Sequence, residues 1–414
     1  MLKSVHDHTP LAALVALAIA MAFVPKIGPV VLVVAALVAA LPFVETLWQR
    51  GSGQAIVTLR EAIGHCSSAT LPVLVVLLFM SLCVISLLWA PDPGFALSRT
   101  LKLLGFFALV TVYALVFMHQ NRQGRSQIQP LVRLATGGFI LAAICLALSF
   151  AFVVPGKPSP DAFINRSVVV LALSGFAVMA YVWSSSWSFW VKCVLSGCLV
   201  AAILTLSLSS GSQTSTVAFL SGIGAMIVFK LAVPMVRRLL VLAIAALCFV
   251  MPLLVMATSA LPQAILNSGF FQRGSAGHRI RIWDSYMALV REKPFFGWGT
   301  EASRDFDPAL LSVPVEELRN VAFTSHPHNA FLQLWTDLGM VGALLFCILI
   351  ALLGLRIENA RAEARAPVYG LFVGILVTSA VSHGAFQSWW LASIALLAVS
   401  VFPLAMPVNG AARG

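Results

Sequence analysis

The sequence predicts an all-α integral membrane protein of about twelve transmembrane helices with one large extramembrane loop. Three observations predict it. Of the 414 residues, 60% are hydrophobic and only 10% are charged, against about 25% charged in an ordinary soluble chain. The mean hydropathy is +0.96. The apolar residues also fall in runs of the length that lets a helix satisfy its own backbone across lipid, about 20 residues. A membrane barrel would instead show short alternating segments.

In chain order the spans are expected at 11–24, 29–47, 71–90, 99–117, 131–154, 167–183, 189–207, 214–233, 239–258, 329–355, 367–383 and 386–403. The first is short and follows a polar start. Ala18-Ile19-Ala20 has the look of a signal cleavage site, but the segment reads as an uncleaved span. The last two spans follow so closely that they form a tight hairpin. The chain therefore divides into nine spans over 1–258, a loop over 259–328, and three spans over 329–414.

Loop charges orient this array. With the N-terminus inside, cytoplasmic segments hold fourteen Lys and Arg and the short outer segments hold five, Lys26, Arg99, Lys102, Lys157 and Arg166. Both termini are then cytoplasmic. The net charge of +11 follows from this bias and gives no reason to expect nucleic acid. The outer face receives the 155–166 loop, the 209–215 turn, the 259–328 loop and His383. The seven cysteines lie outside the long loop and form no metal-knuckle pattern, so neither disulfides nor a metal site is expected.

Within the long loop, Gly277 to Lys293 reads as an amphipathic helix. Ile280, Trp283, Met287 and Val290 recur on one face, and Pro294 and Gly297 end it. The run Phe295-Phe296-Gly297-Trp298-Gly299 then makes an aromatic turn. Seven acids balance seven cations in this loop, so any phosphate specificity must be local. No nucleotide-phosphate loop occurs, and a reaction on the outer face needs an already activated donor. In an apolar setting the natural one is a polyprenyl-diphosphate-linked sugar. It calls for cations to hold the diphosphate and a base for the acceptor hydroxyl.

Arg279, Arg281 and Arg166 are the candidate cations, since guanidinium groups match phosphate oxygens. The alternative for each is contact with lipid head groups. His328 is the candidate base, and His326 would orient it or bind acceptor. Asn329 reads as the cap of the next helix. Asp337 lies inside a span, where ionisable groups usually face the protein interior.

Gly277-His278-Arg279-Ile280-Arg281-Ile282-Trp283, then Lys293-Pro294-Phe295-Phe296-Gly297-Trp298-Gly299, then His326-Pro327-His328-Asn329 with Leu332 and Leu338-Gly339 together resemble the O-antigen ligase and polymerase superfamily. Trp89-Ala90-Pro91-Asp92-Pro93 and Asn165-Arg166 fit it more loosely. The resemblance implies a GT-C-like bacterial inner-membrane glycosyltransferase, metal-independent and inverting, without a cofactor. It would move a glycan from undecaprenyl diphosphate to an acceptor hydroxyl at a periplasmic site. By position, Arg279 matches the loop arginine that contacts diphosphate, and His328 the histidine that activates the acceptor. Where the family often has Arg or Lys after the seventh span, this chain has Gln213, which can hydrogen-bond phosphate but brings no charge.

The leading expectation is an O-antigen ligase whose acceptor is the lipid A-core oligosaccharide. The single dominant outer loop favours it over the related polymerase, which joins polyprenyl-linked repeat units. A transporter would need more ionisable residues at mid-bilayer than Asp337 and Glu45.

Overall fold

A computed structural model describes residues 70–122, 161–259, 276–307, 310–311 and 324–405, with isolated positions at 29–30, 33–34 and 48. The expected spans at 11–24 and 131–154, and most of 29–47, lie outside these residues. The described chain is helical throughout, with no strand among the described residues. Its helices are α1 (Thr70–Ile85), α2 (Pro93–Arg122), α3 (Asp161–Ser184), α4 (Phe189–Ser209), α5 (Gln213–Leu231), α6 (Pro234–Phe249), α7 (Met251–Ser259), α8 (Ala276–Glu292), α9 (Ala330–Arg356), α10 (Ala362–Val381) and α11 (Ser388–Ala405). Seven of them are long and apolar enough to cross a membrane, or eight spans if the α6–α7 pair counts as one; α11 has a shorter apolar stretch.

Local chemistry places the helix ends. Asp92 Oδ1 accepts from Phe95 N at 2.9 Å at the start of α2, and Ser188 and Ser212 cap α4 and α5. The span expected as continuous over 239–258 is instead bent by 63° between α6 and α7. Pro252 explains the bend, because its ring crowds the preceding turn and it has no N–H to continue the ladder.

The most enclosed span among the described residues is α3, whose Phe176 packs on Phe219 of α5 in one buried cluster with Tyr181, Tyr369 of α10 and Trp390 of α11. The approach of α5 to α10 is close enough that a Cβ at Gly222 would sit 2.8 Å from Gly370 O. Such small-residue contacts are how helices associate where lipid is as apolar as leucine.

The feature that fixes the end of the bundle near α8 is a break in α9. Gly339 leaves the helical region with φ 64° and ψ −165°, which opens the hydrogen-bond ladder of a span. The turn after α8 closes it again, backbone to backbone. Trp298 N donates to Thr336 O at 3.0 Å and Gly299 N to Asp337 O at 2.8 Å. In return Met340 N donates to Pro294 O at 2.8 Å and Val341 N to Phe295 O at 3.2 Å. Irregular backbone is tolerated at membrane depth only when its polar groups are re-satisfied in this way. Contact is tight on both sides: a Cβ at Gly297 would lie 2.5 Å from Asp337 C, and one at Gly339 would lie 2.3 Å from Phe295 O.

The same turn grips its neighbours. Trp298 Nε1 donates to Leu289 O of α8 at 3.1 Å, with Lys293 Nζ 3.8 Å from the Trp298 ring centre. Thr300 N donates to Ser86 Oγ, just beyond α1, at 3.1 Å. The buried Glu301 pairs with Arg99 of α2 at 2.9 Å. The expected aromatic turn is thus a four-way junction, with Phe295 and Phe296 exposed at its edge.

Gly339→Ala and Gly297→Ala should each cost about 2 kcal/mol or more, since both positions have positive φ and no room for a methyl group. Thermal unfolding of the purified protein in detergent checks this. Gly105→Ala, in α2 with open space around it, should leave the midpoint unchanged or slightly raised.

Candidate active site

The expected helix over 277–293 is observed as α8, Ala276–Glu292, and it packs by the predicted face. Ile280, Met287 and Val290 are buried. Trp283 on that face donates from Nε1 to Pro327 O at 2.9 Å, which fastens α8 to the segment before α9. Arg279 precedes Trp283 by four residues and so shares its side of the helix. It is half-buried, and its charge bears on both His328 and His383. Arg281 is exposed. Two residues further along an α-helix is a rotation of about 200°, so Arg281 stands on a different side from Arg279.

The segment 326–329 is held in an unusual conformation. His328 has φ 53°, a left-handed backbone that costs a side-chain-bearing residue about 1–2 kcal/mol. Several bonds hold it there. His328 N donates to His326 Nδ1 at 3.1 Å, and Thr324 Oγ1 donates to His326 O at 2.6 Å. Asn329 Oδ1 accepts from Phe331 N at 3.1 Å and from Leu332 N at 3.0 Å, the cap expected from the sequence. The Asn329 Nδ2 atom is buried without a partner in the protein.

These contacts also assign tautomers. His328 Nδ1 lies 3.0 Å from the carbonyl oxygen of Ser382. A carbonyl only accepts, so Nδ1 carries the proton and Nε2 keeps a lone pair. That is the form a general base needs. Ser382 follows the last turn of α10, where helix carbonyls lack intrahelical partners and the dipole favours positive charge. His326 Nδ1 accepts from His328 N, and its Nε2 faces the amide nitrogen of Gln387.

Electrostatics keep this cluster neutral but poised for anions. Burial chiefly, then the proximity of Arg279 and His278, lowers the His328 pKa from its ordinary 6.5, while the Ser382 carbonyl works the other way. His326 is pushed down to about 3, by burial first and then by His328, Arg304 and Arg166. His383 is held well below 6.5 by burial, followed by His326, His328, Arg166 and Arg279. Arg279 itself is lowered by burial, yet a guanidinium remains charged at any physiological pH.

The predicted residues therefore fall into two groups. His326, His328, Arg279 and Arg166 share one neighbourhood. Arg166 lies with its Cζ 5.3 Å from the Trp389 ring centre, and Trp389 stacks edge-on against His383 at 4.7 Å. Arg281 is exposed on α8, and Gln213 is exposed at the first position of α5. Gln333, Ser382, Gln387 and the setting of His383 were not assigned from sequence. Only Gln333 carried a signal there, as a polar residue within a span, four positions after Asn329.

Residues 203–347 match the family model described as O-antigen ligase. That stretch of the chain is similar to the O-antigen ligase domain. The matched region holds α5 to α8 and the broken part of α9, and with them Arg279 and His328. It ends before the α10–α11 turn, and Arg166 precedes it. A candidate polysaccharide ligase of Rickettsia bellii is 24% identical over 79% of this chain and 79% of its own length. Another, from Rickettsia typhi, is 24% identical over 56% of each. A third, from Rickettsia prowazekii, is 29% identical over 32% of this chain, which spans 33% of that relative. The domain and these relatives agree with the polysaccharide-ligase character expected from the three motifs.

Asn329→Ala should remove the α9 cap and destabilise the protein by about 1 kcal/mol. A lowered unfolding midpoint, absent from Asn329→Asp, would identify capping as the cause.

Proposed function

We propose that this membrane protein transfers a glycan from undecaprenyl diphosphate to a hydroxyl of the lipid A-core oligosaccharide, at the periplasmic face of the bacterial inner membrane. The observation that carries the reading is the Trp283 Nε1 bond to Pro327 O, which seats the side of α8 bearing Arg279 against the segment bearing His328. Arg279 and His328 come from separate motifs, and the His328 lone pair is left on Nε2 by the Ser382 bond.

In this reaction the acceptor oxygen attacks the anomeric carbon from the side opposite the diphosphate. Its proton passes to His328 Nε2. The bond from the anomeric carbon to the diphosphate oxygen breaks, and undecaprenyl diphosphate departs with the electron pair, which accounts for inversion. Arg279 and Arg166 hold the growing negative charge, the term that usually dominates such catalysis. The imidazolium formed at His328 is supported by the Ser382 carbonyl at the end of α10. Residues 259–328 are the periplasmic loop in this reading. The twelve-span GT-C-like arrangement, with 1–258 and 329–414 in the membrane and both termini cytoplasmic, belongs to the same proposal. Arg281 and Gln213 take outer contacts with glycan or head groups.

The deciding experiment is a lipopolysaccharide gel on cells lacking the protein, with a parallel assay of undecaprenyl-linked polymer. Bare core with polymer stranded on undecaprenol is expected. Core bearing one repeat unit would assign the polymerase reaction instead, and unchanged lipopolysaccharide would overturn the reading. In vitro, His328→Ala should lower turnover by about 100-fold or more, and Arg279→Ala should do so with weaker donor binding. Chelators should leave the rate unchanged.

The base must be neutral to act, and its pKa lies below 6.5. The acid limb of turnover should therefore have its midpoint below the 6.5 of an ordinary imidazole. The groups facing His328 are His278 and Arg279 of α8, its neighbour His326, and His383 of the α10–α11 turn.

A further inference from the structure

The site depends on the turn 382–387, which supplies the Ser382 carbonyl to His328 and the Gln387 side chain to His326. Something must set that turn against α9 for those two contacts to hold. The bonds that do so converge on one side chain. Gln333 Oε1 accepts from Ala385 N at 2.8 Å. Its Nε2 lies 3.2 Å from Asp337 Oδ2 and 3.3 Å from Ser303 Oγ. Asp337 Oδ1 in turn accepts from Ser303 N at 2.9 Å. Gln333 and Asp337 are 1% and 0% exposed, so none of these groups can turn to water instead.

Space leaves the turn no alternative position. A Cβ at Gly384 would lie 2.5 Å from Gln333 Oε1 and 3.1 Å from His326 Cβ. The amide of Gln333 is thus wedged between the turn and the broken part of α9. Asp337 is itself pinned, since its carbonyl belongs to the junction with Gly299.

We infer that Gln333 is a positioning residue for the base. It carries the register set by the Pro294–Gly299 junction, through Asp337, to the 382–387 turn, and so holds the Ser382 carbonyl on His328 Nδ1. This inference rests on the reading of His328 as the base.

The test is Gln333→Leu in the full-length protein, read in two ways. Turnover should fall by about tenfold or more, with the donor KM within about twofold, because Gln333 itself touches neither substrate. Independently of activity, the rate at which diethyl pyrocarbonate modifies His328, followed by peptide mass spectrometry against pH, reports the imidazole pKa. Losing the Ser382 bond removes an interaction that favours the protonated ring, so the midpoint should move to lower pH in Gln333→Leu. Gln333→Glu keeps an oxygen acceptor for Ala385 N and should move the modification midpoint less than Gln333→Leu does. An unchanged modification midpoint would overturn the inference, even if the variant gave less folded protein. If the midpoint moves but His328→Ala retains full turnover, the positioning stands and the reading of His328 as base fails.

Discussion

The candidate site of this protein hangs on the exchange of backbone hydrogen bonds between the Pro294–Gly299 turn and the break in α9. A span with an open ladder in lipid exposes several polar groups, each costing kcal/mol amounts if left unpaired. The turn can satisfy them only by lying against α9 at backbone distance, and only glycine at 297 and 339 permits that distance. One steric requirement therefore brings an extramembrane loop to a single, defined seat on a membrane helix. Helix α8, which ends where the turn begins, is aimed by the same event.

From that seat the site follows by short steps. Trp283 meets Pro327, and Arg279 is carried to the histidines on the same helix face. The strained backbone at His328 costs energy, but it directs Nδ1 to a carbonyl at the end of α10. Burial among arginines keeps His326 and His383 neutral. The result is fixed positive charge from arginine beside an imidazole oriented by the Ser382 carbonyl.

The fold class was legible from apolar runs of spanning length, and α8 from its 3.6-residue period. The seat of α8 was not, because periodicity reports which face is buried and never against what. The glycines at 297 and 339 are ordinary letters in a sequence, and their meaning appears only when two segments about forty positions apart approach. The α6–α7 bend carried a signal in Pro252 that the apolar count over 239–258 outweighed. At the candidate site, Arg279 and His328 were singled out through the motifs that carry them, whereas the neighbourhood they share depends on how α8 seats and was not readable. Ser382 was unreadable in principle, since it acts through a backbone carbonyl that any residue possesses.

Asp337 and Gln333 illustrate why a polar pair persists in a span. Two leucines would pack there without a desolvation cost, and replacing buried polar groups by apolar ones is often neutral or better for stability. Stability alone thus gives a weak reason for this pair. Direction gives a stronger one. An apolar contact tolerates sliding, whereas the Gln333 amide accepts from Ala385 N and faces Asp337 and Ser303 at defined atoms. A shift of one ångström between α9 and the 382–387 turn would break those bonds, and the same shift would take Ser382 O away from His328. The polar pair and the His328–Ser382 bond therefore report the same distance, which is the physical sense in which a residue buried in α9 belongs to the candidate site.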